Sequence, residues 1–178
     1  KFLFKNIFEN EKQMGNIFEK FVFNFLQINL RDKFEIKAKE LSWGFEPIGK
    51  SDKSYVPKMK TDIVLRHKLN KDRVIIIDTK FYKEQNILSK NQSNYKNETN
   101  SKKFNANNLY QITSYITNMK KEEGKNVNLE GILLYAQNSD DIILDEKYKW
   151  MDHTVTIKTV NLNQEWKNIE EDLLKLCI

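Results

Sequence analysis

Four consecutive apolar residues, Val74-Ile75-Ile76-Ile77, run straight into Asp78-Thr79-Lys80. Such a run reads as a buried strand, and its far end sets an acid and a base on one face. Side chains alternate along a strand, so Asp78 and Lys80 share a face while Thr79 points away. Burying charge without a partner is costly, so this pair demands a reason. Upstream, Asp62 opens a second apolar run, Ile63-Val64-Leu65. The two strands, at about 60–67 and 73–81, are joined by the polar residues Lys68-Leu69-Asn70-Lys71-Asp72. A connection that short indicates an antiparallel hairpin, in which Asp62 can lie beside Asp78 if the register allows it.

Two adjacent carboxylates repel one another unless a cation sits between them. One cysteine, Cys177, and two histidines, His67 and His153, are too few for the usual Cys/His zinc site. An ion held mainly by oxygen is expected instead, which favours Mg²⁺, with Mn²⁺ as the alternative. Asp62 and Asp78 are the candidate ligands, and the backbone carbonyl of Thr79 is a third. The ion would polarise a phosphate oxygen and lower the pKa of a bound water. Lys80 could orient or help deprotonate that water, or stabilise charge developing on phosphorus. The plainer alternative is a structural Asp–Lys pair at a strand end, since the D-x-K pattern is common by chance.

Two helices bring further polar groups toward the same place. In the first, at 13–30, Met14, Ile17, Phe18, Phe21, Val22, Phe25 and Leu26 form one buried face, and Glu19 flanks it. In the second, at 107–121, Leu109, Ile112, Ile116 and Met119 form the apolar face. Gln111 and Tyr115, four apart, are neighbours beside it. An amide and a phenol there can hold a phosphate or position a metal ligand. The remaining elements are a half-buried strand through Phe34, Ile36 and Ala38, a polar connection at 44–58, strands at 129–136 and through Val155, Ile157 and Val160, and a closing amphipathic helix at 164–176. Trp166, Ile169, Leu173 and Leu176 form the apolar face of that last helix. This order gives a mixed α/β fold on one central sheet.

At 178 residues the chain fits one domain. No stretch approaches the roughly 20 apolar residues a membrane helix needs, and the start lacks signal-peptide features. No membrane association is therefore expected, and a lone cysteine suits a reducing cytoplasm. The absence of an initial Met suggests a piece of a longer protein. Charge is unevenly placed: residues 50–103 carry 14 basic and 6 acidic side chains, a net +8, against −3 for the rest. That excess around Asp62 and Asp78 suits a polyanion such as DNA. It includes Lys83, Lys90, Lys96, Lys102 and Lys103, in a tract at 83–107 rich in Asn, Lys and Ser that has no periodicity. The tract reads either as an arm contacting phosphates or as an insert without consequence.

The ordered set resembles the PD-(D/E)xK nuclease superfamily, with its αβββαβ restriction-endonuclease-like core. Thr61-Asp62-Ile63-Val64-Leu65 is similar to the second-acid motif, although Thr61 stands where the family usually has Pro. Asp78-Thr79-Lys80 is similar to the D-x-K, and Gln111-Ile112-Thr113-Ser114-Tyr115 to the Q-x-x-x-Y helix of the RecB-like branch. More closely, Gly15-Asn16-Ile17-Phe18-Glu19-Lys20-Phe21-Val22, Asp78-Thr79-Lys80-Phe81-Tyr82 and Asn108-Leu109-Tyr110-Gln111-Ile112-Thr113-Ser114-Tyr115 resemble the McrC family. That family provides the nuclease subunit of the McrBC modification-dependent restriction system. The resemblance covers about residues 13–160. It implies that Asp62 and Asp78 ligate metal and that Lys80 is catalytic. Glu19 would be an auxiliary acid and a further candidate ligand, and Gln111 and Tyr115 would support the site.

The resemblance also implies a Mg²⁺-dependent DNA endonuclease forming one domain over 1–178, the C-terminal part of a longer McrC-like protein. Its partner would be an McrB-like AAA+ ring that hydrolyses GTP, since this chain has no P-loop motif. Double-strand cleavage would require two nuclease sites to meet transiently. Two alternatives keep the same fold: a RecB-like exonuclease or junction-resolving nuclease without a GTPase, and a non-catalytic DNA-binding or assembly module.

Overall fold

Residues 10–82, 88–90, 102–124, 126–137 and 143–177 are described in the computed structural model, with backbone only at 89, 90 and 102. The first helix, α1 (Glu11–Leu30), starts two residues before its expected position because Asn10 caps it. The Asn10 side chain accepts hydrogen bonds from the amides of Lys12 and Gln13 at 3.1 and 3.2 Å. Strand β1 (Phe34–Lys37) follows and stops before Ala38. The short strands β2 (Glu40–Leu41) and β3 (Met59–Lys60) pair with each other outside the main sheet. The expected hairpin is formed by β4 (Ile63–His67) and β5 (Arg73–Lys80), antiparallel with Ile63 opposite Ile77.

After β5, the tract expected to lack regular structure contains a small ribbon. Strands β6 (Leu88–Lys90) and β7 (Lys102–Phe104) pair antiparallel, with Leu88 opposite Phe104. Both of those side chains pack onto the core, and two short apolar stretches, Ile87-Leu88 and Phe104, set far apart among polar residues leave no periodic trace in a sequence. Helix α2 (Ala106–Glu123) leads to β8 (Asn128–Gln137), then β9 (Asp145–Trp150), β10 (His153–Asn161) and α3 (Trp166–Leu174). Sequence reading missed β9. It is an edge strand with Asp145, Glu146, Lys147 and Lys149 among its six residues, so its one short alternation, Lys147-Tyr148-Lys149-Trp150, is outweighed by charge.

The central sheet has the order β1-β4-β5-β8-β10-β9. Pairing is antiparallel from β1 to β5, parallel from β5 through β8 to β10, and antiparallel again at β9. This is the mixed sheet flanked by helices anticipated for a restriction-endonuclease-like fold. Alternation along the strands divides the core in two. Ile63, Leu65, Ile75, Ile77, Ile132 and Leu134 face α1 and α3, whereas Val64, Ile76, Leu133, Val155 and Ile157 face α2. Trp166 is more exposed than expected, but its ring meets Phe21 and Phe25 edge-on. At Gly131 on β8, a Cβ would lie 2.7 Å from Ile116 Cδ1 and 2.8 Å from Ile112 Cγ1, so α2 sits as close as it does because no side chain is there.

One asymmetry in the sheet creates the site. The β4–β5 pairing ends at Ile63 opposite Ile77, while β5 runs three residues further, paired with β8 alone. Asp78, Thr79 and Lys80 therefore form a strand end whose β4 side is open.

Candidate active site

Asp78 is fully buried on the α2 face, opposite Leu133 of β8. Lys80, two residues on, shares that face and forms an ion pair with Asp78 Oδ2. Neither Asp78 oxygen receives a hydrogen bond of good geometry. Burial pushes this carboxyl up to about 6; Lys80 opposes that rise and the nearby Asp62 adds to it. A buried carboxylate with unused lone pairs is a costly arrangement, of the kind that a bound cation relieves.

Asp62 directly precedes β4, outside the β4–β5 ladder, and is near enough for its charge to act on Asp78. Its Oδ2 accepts two hydrogen bonds from Thr79, from the amide at 2.8 Å and from the hydroxyl at 2.9 Å. In a strand the N–H and C=O of one residue point to the same neighbour. Thr79 has no partner in β4, so its carbonyl leaves toward the open side as well. The carboxylates of Asp62 and Asp78 and the Thr79 carbonyl are all oxygen donors, which suits Mg²⁺ or Mn²⁺. Among the described residues no three His, Cys, Asp or Glu side chains gather as a metal-holding group. The two acids could supply two side-chain oxygens to such an ion, with water or substrate oxygen completing the shell.

Glu19, half-buried on α1, has its carboxyl raised by burial and then by the charge of Asp62, with Lys60, Lys20 and Lys80 pulling the other way. The auxiliary acid of the sequence reading is thus electrostatically coupled to Asp62 and Lys80, as an outlying group.

Gln111 and Tyr115 also reach the site, in a definite order. Gln111 Nε2 donates to Tyr115 Oη at 2.7 Å, and Tyr115 Oη donates to the carbonyl of Lys60 at 2.7 Å. Of the two roles open to this pair, the geometry fits the positioning of a ligand: α2 holds the chain two residues before Asp62. Burial raises the Tyr115 phenol to about 12, Gln111 counteracts this, and the charges of Asp78 and Asp62 raise it further.

A second network was not read from the sequence. Asn108, buried at the start of α2, donates to Tyr135 Oη at 2.9 Å and accepts from Tyr82 Oη at 3.1 Å. Tyr135 stands opposite Lys80 across β5–β8. Its phenol is raised to about 12, mainly by burial, with the Asp78 charge contributing. The available signal was a tyrosine inside the apolar run of β8, since a buried phenol needs a partner. Of the five lysines proposed for DNA contact, Lys83 and Lys96 lie outside the described residues. Lys90 and Lys102 lie on the backbone of the β6–β7 ribbon, and Lys103 is exposed on β7. Among the described residues no helix is long and apolar enough to cross a membrane.

The family model of the McrBC 5-methylcytosine restriction system component matches residues 12–136. The chain belongs to the McrBC family. That span contains Glu19, Asp62, Asp78, Lys80, Gln111 and Tyr115. The McrBC-family chain is 30% identical over 167 residues to the type IV methyl-directed restriction enzyme EcoKMcrBC of Escherichia coli K12, covering 94% of this chain and 43% of that protein. Its fold is similar, with a TM-score of 0.54 at 16% identity, to a chain in the half-complex of Thermococcus gammatolerans McrB AAA+ hexamers with bound McrC. That likeness covers 92% of this chain and 33% of the other. This McrBC-family chain thus spans less than half the length of either relative.

Proposed function

We propose that this domain is the Mg²⁺-dependent endonuclease of a McrBC-like modification-dependent restriction system, hydrolysing DNA phosphodiesters in the cytoplasm. The observation that carries the reading is Asp78, a fully buried carboxylate beside Asp62 whose one polar partner among the described residues is the ion-paired Lys80. Asp62, Asp78 and the Thr79 carbonyl would hold the ion. When bound, a divalent cation polarises a phosphoryl oxygen and acidifies a coordinated water.

The chain's own residues set the stage for that chemistry. Thr79 holds the Asp62 carboxylate through two hydrogen bonds, leaving its second oxygen for a ligand. Lys80, tethered at Asp78, supplies a cation that can orient the attacking water or neutralise charge building on phosphorus. Glu19, whose carboxyl is raised by burial and by the charge of Asp62, would serve as an auxiliary acid beside the two aspartates. Tyr115 and Gln111 brace the Asp62 segment from α2. The positive excess of residues 50–103 would draw in the DNA backbone. Recognition of the modification and GTP hydrolysis would lie with an McrB-like AAA+ ring, and double-strand breaks would need two of these domains to meet. The likeness to a McrB–McrC assembly and the match to a methyl-directed restriction enzyme support that context.

The test is cleavage of modified circular DNA by the full-length protein with its AAA+ partner, GTP and Mg²⁺. Asp78→Ala and Lys80→Ala should each abolish cutting while circular dichroism stays unchanged. Undiminished cutting by both would remove this site from the reaction. Degradation from free DNA ends without GTP would favour a RecB-like exonuclease.

A further inference from the structure

Between the β1–β4 pairing and the β2–β3 pairing, the register slips by one residue. Lys37 faces Val64, and Glu40 faces Lys60. Two residues, Ala38 and Lys39, separate those partners on one strand, but three, Thr61, Asp62 and Ile63, separate them on the other. The extra residue is a β-bulge, which interrupts the ladder and re-aims side chains. The core records the same slip. Met59 and Val64 both enter the α2-side core although an odd number of steps parts them. Strict alternation would have sent them to opposite faces.

The bulge is pinned at Thr61, which is only 1% exposed. Its amide and its hydroxyl both donate to the Lys39 carbonyl at 3.0 Å, and its Oγ1 accepts from the Lys39 amide at 2.9 Å. The hydroxyl thus supplies the second half of a backbone-like pairing that the bulge has disrupted. A proline here, lacking both groups, could make none of the three bonds. Each neighbour is also held. Tyr115 takes the Lys60 carbonyl, and Asp62 receives the Thr79 amide, which has no β4 partner. Three consecutive residues are held from three places, α2, the β1–β2 link and β5, and the middle one turns the chain out of the sheet.

We propose that Thr61 is a positioning residue. Its two-way bonding to Lys39 locks the bulge that aims the Asp62 carboxylate at Thr79 and into the candidate metal site. The placement of Asp62 stands on the hydrogen bonds alone, while its use for metal rests on the function proposed above.

The decisive readout is hydrogen exchange of the Thr79 amide in the metal-free protein, measured by NMR relative to the Ile76 amide of the same variant. Thr61→Val removes the hydroxyl at nearly constant shape, Thr61→Ser keeps it, and Ile169→Val is a mild destabilising control in α3. Thr61→Val removes two of the three bonds to Lys39, and Thr79 exchange should rise roughly ten-fold, the effect of losing the one hydrogen bond from its amide to Asp62. It should stay near wild type in Thr61→Ser and in Ile169→Val. Wild-type protection of Thr79 in Thr61→Val would overturn the proposal, as would equal loss in Ile169→Val. A parallel Mn²⁺ titration separates the two ideas. If Thr79 responds as expected but the wild type binds no Mn²⁺, the positioning role holds and the metal reading falls.

Discussion

The Tyr115 hydroxyl donates across 2.7 Å to the carbonyl of Lys60, two residues before Asp62, while accepting from Gln111 on its own helix. Helix α2 thereby fixes the approach of the chain to a carboxylate it does not touch. Tyr115→Phe should lower metal affinity and kcat together, by about ten-fold, with little change in KM for DNA. It should also cost about 1–2 kcal/mol of stability for the carbonyl left unpaired. Gln111→Leu should be milder, since its amide acts through Tyr115. A large rise in KM for Gln111→Leu would instead mean that the amide holds a phosphate.

Asp78 gives a pH dependence with a definite sign. Burial raises its folded-state pKa to about 6 from the ordinary 3.8. As pH climbs between those values the unfolded chain releases its proton first, so the native state loses stability across that window. In EDTA, Asp78→Asn should therefore be more stable than wild type at pH 7.5, by about 1–3 kcal/mol, less whatever the stranded Lys80 costs. The gap should close below about pH 4. Thermal melts against pH would show it, and a difference between variant and wild type that does not change from pH 4 to pH 7.5 would contradict the burial argument.

The hairpin and its charged end were legible because alternation and a short polar connection fix them locally. Asp78 and Lys80 had to share a face, and they do. The bulge at Asp62 was not legible, because a register slip is a property of two strands and leaves no mark on either alone. Tyr135 and Asn108 were hidden for a related reason: their partner choice depends on where α2 lands on β8. Strand β9 was invisible because an exposed edge needs no apolar pattern, and charge there discourages further pairing.

Close packing at Gly131 makes it intolerant of a side chain. Gly131→Ala would force a Cβ against Ile112 and Ile116 in a filled core. The expected cost is about 1–3 kcal/mol, read as a lowered denaturation midpoint at unchanged secondary structure. An unchanged midpoint would mean that α2 shifts freely on the sheet, which its hydrogen bond to Lys60 should prevent.

The β6–β7 ribbon carries Lys90, Lys102 and Lys103. If the ribbon tracks a phosphate backbone, the triple Ala variant should weaken DNA binding uniformly across sequences. It should also reduce the slope of log K against log salt by roughly 2–3. An unchanged slope would assign the ribbon a purely structural part.

The central claim is that Asp62 and Asp78 together hold one divalent ion. Calorimetric titration of Mn²⁺ into the metal-free protein tests it most directly, using wild type, Asp62→Ala and Asp78→Ala. The account requires one ion per wild-type chain and none, at the same concentrations, in either variant. Binding that survives both substitutions, or a wild type that binds no ion, would contradict it.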